Sequence, residues 1–258
     1  LKEKVFNNIL KDHTMKNISL WIIILSAFAV SCDTEDNILT QHEGSPGSSQ
    51  MLSASFKGQA ELPHNTANPY DAYGNAHNDI LALYERGAYQ GQDIDSISTH
   101  VESIISANDG FGGLELDQGL QVSAPSITLI LDAPMERAGT VIENSQMSTS
   151  AKASMAGFLN YIFLHEKDGY EEIYSHIVSY EAGVSGTADL SAADKEKMLV
   201  TASIVRHSLY RSKKRKDKDW ETSVGNIAGS AEGSMENPVS AVKKAAIAGL
   251  ALKASSAK

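Results

Sequence analysis

Gly225, Gly229 and Gly233 fall at a strict four-residue spacing in the stretch GNIAGSAEG. A glycine in a helix interior costs about 1 kcal/mol relative to alanine. Three of them on one helical face need a compensating contact. A face without side chains supplies one, because it lets a second backbone approach closely. A partner of matching character follows directly. After Asn237-Pro238, a turn signal, comes VSAVKKAAIAGLAL, with Ala241, Ala245, Ala248 and Gly249 as its small residues. The spacing predicts a C-terminal small-residue helical hairpin, its first arm running from about residue 220 to 235; the alternative is a disordered glycine-rich tail. Asn226, Glu232, Lys243 and Lys244 interrupt both arms, and each arm falls short of the ~20 apolar residues a membrane span needs. These polar residues place the expected meeting in or near water.

The preceding part of the chain also reads as helices, because its apolar residues recur at three and four rather than alternating. Asn68-Pro69-Tyr70-Asp71 is a turn and helix start, with Asn or Asp expected to supply the cap oxygen. Tyr73, His77, Ile80 and Tyr84 then form a stripe that stops at Gly87. Ile94, Ile97, Val101 and Ile104 form a second, and Met155, Phe158, Leu159 and Ile162 a third. Asp168-Gly169-Tyr170-Glu171 resembles a capping box, and its helix is expected to end at Gly183. A further box-like start at Ser191 leads into Met198, Ala202, Val205 and Leu209. The run Ile127-Thr128-Leu129-Ile130-Leu131 suits either a buried strand or a helix, and the lack of strand partners favours a short helix. The expected fold class is all-α, an irregular helical bundle of about six or seven helices closed by the C-terminal hairpin.

The first forty residues speak of location. Met15-Lys16-Asn17 opens a basic stretch, and residues 18–30 (ISLWIIILSAFAV) carry no charge. These 13 residues match a signal-peptide apolar region and are too few to span a bilayer. Ala29-Val30-Ser31-Cys32 resembles the bacterial lipobox, in which the cysteine is acylated and becomes the new N-terminus; Ala29 stands where that family prefers Leu. Cys32 is the chain's single cysteine, so an intramolecular disulfide and a multi-thiolate zinc site are excluded. The organisation read from this is upstream translation over 1–14, a lipoprotein signal peptide over 15–31 and an acidic, polar tether over 32–66. A helical domain over 67–212 and a basic, then Gly/Ala-rich segment over 213–258 complete it. The acidic cluster Asp33, Glu35 and Asp36 is similar to the surface-export signal of Bacteroidetes lipoproteins. Removal of residues 1–31 leaves 18 basic against 30 acidic side chains, a net charge of −12. Such a chain is not expected to bind nucleic acid. The one basic block, residues 213–218, complements the end of its helix.

Together these features resemble a group of uncharacterised Bacteroidetes lipoproteins. The group carries an Asn-Pro-Tyr/Phe-Asp-x-x-Gly-x-x-His-Asn stretch, a helical middle and a Gly/Ala-rich end. The stretch here runs from Asn68 to Asn78 as NPYDAYGNAHN. The resemblance implies an outer-membrane location and no particular activity.

Templates for chemistry mostly fail. His165-Glu166 lacks the second histidine of a zinc-protease helix, and no nucleophile elbow or phosphate loop occurs. No catalytic residue, metal ligand or cofactor is assigned. One polar cluster, Asp71, His77 and Asn78, could act as a general base beside a carboxylate. A histidine on an apolar stripe is more often a core residue. The function expected is therefore a lipid-anchored, non-catalytic binding or envelope-associated module. Its partners would be the membrane, through the lipid, and an unidentified protein or envelope component. The alternatives are a hydrolase using His77 and a membrane-active protein acting through the glycine-rich tail.

Overall fold

In a computed structural model of the protein, the described residues are 63–87, 89, 93–116, 121–214 and 220–256. Cys32, the acidic cluster after it and the rest of the first 62 residues lie outside them. Among the described residues there are nine α-helices and no strand. They are α1 (Asp71–Arg86), α2 (Ile94–Ser106), α3 (Ala124–Asp132), α4 (Pro134–Glu143) and α5 (Thr149–Leu164). After these come α6 (Tyr170–Gly186), α7 (Ala192–Lys214), α8 (Trp220–Ser234) and α9 (Pro238–Ser256), and a 3-10 helix, Asp109–Leu114, follows α2.

Helices α7 and α9 form the inside of the bundle. α7 packs against α1, α6 and α8; α9 lies along α8 and also meets α1, α2 and α3. Both are buried on every side over long stretches, residues 198–209 of α7 and 240–251 of α9. Sequence patterning shows only one stripe on α7, yet a central helix has no solvent face. The outer helices bury their stripes as expected: Ile97, Val101 and Ile104 from α2, Met155, Phe158 and Ile162 from α5, Ile173 and Ile177 from α6.

The α8–α9 hairpin is held by backbone contact. A Cβ on Gly225 would lie 2.8 Å from the Ala248 carbonyl oxygen, and one on Gly229 would lie 2.5 Å from that of Lys244. One on Gly233 would run into Ser240 and the backbone of Ala241. The pairing is reciprocal, for the side chain of Asn226 occupies the space that a Cβ on Gly249 would need. Glu232, Lys243 and Lys244 are buried within the bundle rather than facing water. Each is paired: Lys243 with Glu102 at 3.0 Å, and Lys244 with Glu232 at 3.2 Å and Glu236 at 2.6 Å.

Several local details differ from the sequence reading. The helix count is higher because Pro134 starts α4 directly after α3; the extended Ala133 between them (φ −156°, ψ 73°) breaks the run into two helices. α6 is capped by Gly169 without a side-chain bond, not by Asp168. The carbonyls of Asp168 and Glu166 instead accept from Lys213 Nζ at 2.8 and 2.6 Å, and residues 215–219 of the basic block lie outside the described residues. α6 also passes Gly183 and ends at Gly186, since α-helical backbone does not require a stop there. Residues 63–66, at the end of the stretch read as tether, are already attached to the bundle, with Pro63 buried.

Replacing Gly229 by leucine is expected to destabilise the protein by about 3 kcal/mol or more, above the usual range for an added side chain because the obstacle is backbone. Gly157 in α5 has nothing within 4 Å of a Cβ, so Gly157→Ala should stabilise by about 0.5–1 kcal/mol. Thermal or urea melts of the two variants beside the parent check both signs.

Candidate functional site

The NPYDAYGNAHN stretch lies where the chain joins the bundle, and its residues at helical spacing face α7. Asn68 accepts from the Tyr70 N–H at 2.9 Å, which shapes the turn before α1. Its Nδ2 donates to Glu181 at 2.7 Å and to the Leu199 carbonyl at 3.0 Å. The helix therefore starts without a side-chain cap; the oxygen expected to cap it makes the turn instead. Gly74 admits α7 to close range, since a Cβ there would lie 2.6 Å from the Ser203 carbonyl oxygen. Ser203 Oγ accepts from the Gly74 N–H and donates to the Asp71 carbonyl, each at 3.2 Å. One turn further on, Asn78 Nδ2 donates to the His207 carbonyl at 2.8 Å.

At the centre stands Arg206 of α7, with a fully buried side chain. Its Nη2 donates to Asp71 Oδ1 at 2.7 Å and to Glu181 Oε1 at 3.0 Å. Nε reaches both Glu181 oxygens at 3.3 and 3.2 Å. Nη1 donates to the Pro63 carbonyl. Glu181, on α6 and equally buried, also accepts from Asn65 Nδ2 at 2.6 Å. The ion pair is thus joined to a main-chain oxygen and two amides, the condition under which buried charges are tolerated.

Two imidazoles complete the group. His207 Nε2 lies 3.2 Å from Asp71 Oδ1, and His64 Nδ1 lies 3.0 Å from Asp71 Oδ2. The rings meet edge to face, 5.3 Å between centroids. His207 is buried, whereas the His64 side chain is 47 % exposed. The Tyr174 hydroxyl donates to the His64 carbonyl at 2.8 Å and holds that loop in place. Burial alone would raise the Asp71 pKa. The His207 hydrogen bond, the Arg206 charge and the His64 contact outweigh burial and hold the carboxyl well below the usual range. Burial lowers the His207 pKa against the pull of Asp71.

The polar cluster expected from sequence is not one site. Asp71 belongs to the Arg206 group. His77 stands apart from that carboxylate, fully buried, with no hydrogen-bond partner on either ring nitrogen among the described residues. Desolvation brings its pKa down to about 3 despite the amides of Asn226 and Asn78 beside it. An enclosed, neutral imidazole with no open cleft is poorly placed for general-base work. Sequence reasoning missed His64, Asn65, Glu181, Arg206 and His207. The available signal was Arg206-His207 inside the largely apolar run from Met198 to Leu209, where a charge needs a partner. The partner itself cannot be read from spacing.

Compared with protein-family models, curated proteins and solved structures, the chain matches none of them.

Arg206→Met is expected to cost about 3–5 kcal/mol, because it strands Glu181 as a buried, uncompensated charge. The effect of pH has one sign. Asp71, depressed in the fold, contributes stability above its unfolded pKa and loses it as pH falls further. His77 and His207 are depressed bases, so the unfolded chain binds their protons first, and stability declines as pH drops below about 6.5. For His77 the slope is about 1.4 kcal/mol per pH unit down to the neighbourhood of pH 3. Urea melts at pH 7, 6 and 5 should show the decline, and His77→Leu should flatten it by about that amount.

Proposed function

We propose that the protein is a lipid-anchored module of the bacterial envelope whose helical domain serves a non-catalytic, binding or scaffolding role. The observation that carries this reading is the short apolar stretch 18–30 ending at the chain's only cysteine, Cys32. Acylation at Cys32 would anchor the chain in the outer membrane, in keeping with the resemblance to Bacteroidetes lipoproteins. More than one acyl chain is needed for lasting attachment. The construction of the domain is consistent with this role. The Arg206 group fixes residues 63–65 to α6 and α7, so the polar segment after Cys32 would lead into a firmly held point.

The two other readings gain less support. The hydrolase reading rests on His77, which is enclosed and apart from Asp71. The membrane-active reading rests on the glycine face of α8, which α9 already covers. No helix of the described residues is long and apolar enough to cross a membrane.

Cells fed a labelled fatty acid should incorporate it into the protein, and Cys32→Ala should abolish both the label and membrane partitioning. Unchanged partitioning of Cys32→Ala would end the anchoring proposal. The acidic residues Asp33, Glu35 and Asp36 add an expectation of surface exposure: protease applied to intact cells should digest the domain, and full protection until lysis would place it on the inner leaflet side.

A further inference from the structure

We propose that His64, Asp71 and His207 form a binding site for a transition-metal dication of the zinc type. The three offer one ligand atom each, all within 4.8 Å of one another. Two imidazoles and one carboxylate, with a place left for water, are a recurrent donor set for such ions.

The distances are close to those the ion requires. With metal–ligand bonds of about 2.0–2.1 Å, the edges of a tetrahedral site are about 3.3–3.4 Å. The two rings meet different oxygens of Asp71, His64 Nδ1 on Oδ2 at 3.0 Å and His207 Nε2 on Oδ1 at 3.2 Å, so an ion between the rings would meet the carboxylate through both oxygens or after a small turn of it. The ion would take the place of the hydrogen shared in each contact, and each neutral ring would bind it as the tautomer whose single proton is on the far nitrogen, Nε2 of His64 and Nδ1 of His207. Closing the third edge falls to His64, the exposed member on the loop before α1, while Asp71 and His207 are held by helices.

Charge and surroundings favour a cation. Arg206 faces two carboxylates, Asp71 and Glu181, so the group carries one uncompensated negative charge when both imidazoles are neutral. The neighbours act as an outer shell, which in metal sites fixes ligand orientation. Arg206 orients the Asp71 carboxylate, and Tyr174 holds the His64 main chain. His207 is buried, and its Nε2 is aimed at the site. The His64 side chain is partly exposed, so the group is open to solvent on that side. The inference does not depend on lipid anchoring.

The test is calorimetric titration of the chelator-treated full chain with zinc chloride, together with thermal melts with and without zinc. The parent should bind zinc saturably and melt higher with zinc than without. His64→Ala should weaken that binding ten-fold or more and lose the zinc-dependent shift, while its metal-free melting temperature stays at the parent value. Should the metal-free melt fall, His64→Gln replaces it under the same criterion, since the amide can still hydrogen-bond Asp71. His64→Cys should restore binding by supplying a thiolate. His165→Ala, away from the site, should bind like the parent, and magnesium chloride should give no shift because imidazole nitrogens suit it poorly. Absence of saturable zinc binding, a loss smaller than ten-fold in His64→Ala (or in His64→Gln where that replaces it), failure of His64→Cys to restore binding, or an equal response to magnesium would overturn the proposal.

Discussion

A guanidinium taken wholly out of water costs several kcal/mol unless its donors and charge are met in place. Arg206 sits in the middle of the central helix, so nothing on α7 itself can meet them. The partners come from elsewhere: Glu181 from α6, Asp71 from the first turn of α1, and a carbonyl from Pro63 before it. Satisfying one side chain therefore fixes where the chain joins the bundle, which face α1 shows to α7 and how α6 lies beside both. Asn65 and Asn68 then become necessary, because Glu181 has more oxygen lone pairs than Arg206 can fill. Gly74 follows from the same geometry, since Asp71 reaches Arg206 only if α1 lies close on α7.

The second half of the bundle has an equivalent arrangement around Glu232. Its carboxylate accepts from Arg137 Nε and Ser126 Oγ, each at 2.6 Å, and pairs with Lys244 at 3.2 Å. Burial would raise its pKa, but these partners lower it. One residue of α8 thus gathers α3, α4 and α9. The cause lies in the glycine face. Backbone contact along α8 draws α9 inward until it is covered on all sides, and Lys243 and Lys244 go with it. Two ammonium groups in that position need carboxylates, which α2 supplies as Glu102 and α8 as Glu232.

Much of the architecture was legible because it depends on local regularities. Helical spacing showed α1, α2, α5 and α6 but not α4, and Gly225, Gly229 and Gly233 showed the hairpin and even its contact residues. What the sequence did not disclose has two physical sources. A central helix has no polar face, so its periodicity is silent about neighbours; α7 looked like a striped helix with a basic end. Pairings between distant charges also leave no local trace. His64 and His207 lie 143 positions apart in the chain, and Lys243 and Lys244 read as solvated because nothing nearby marks Glu102 as a partner. The stretch from Asn68 to Asn78 was recognisable as a motif, but the roles of its residues emerge only with α7 in place. Asp71 and His77 are six positions apart in the chain and serve different neighbours.

His77 shows what the bundle accepts in order to pack. The ring sits in the core with neither nitrogen partnered among the described residues, next to Asn226, whose Oδ1 has no partner there either while its Nδ2 donates to Ser208 at 2.8 Å. Buried polar groups left in this way cost about 1–3 kcal/mol each. The position of Asn226 is not free to improve, because its side chain fills the space above Gly249, and that space exists only because α8 and α9 touch backbone to backbone. The close hairpin therefore sets the position of Asn226, and with it the surroundings of His77, through the contact that draws α9 into the core.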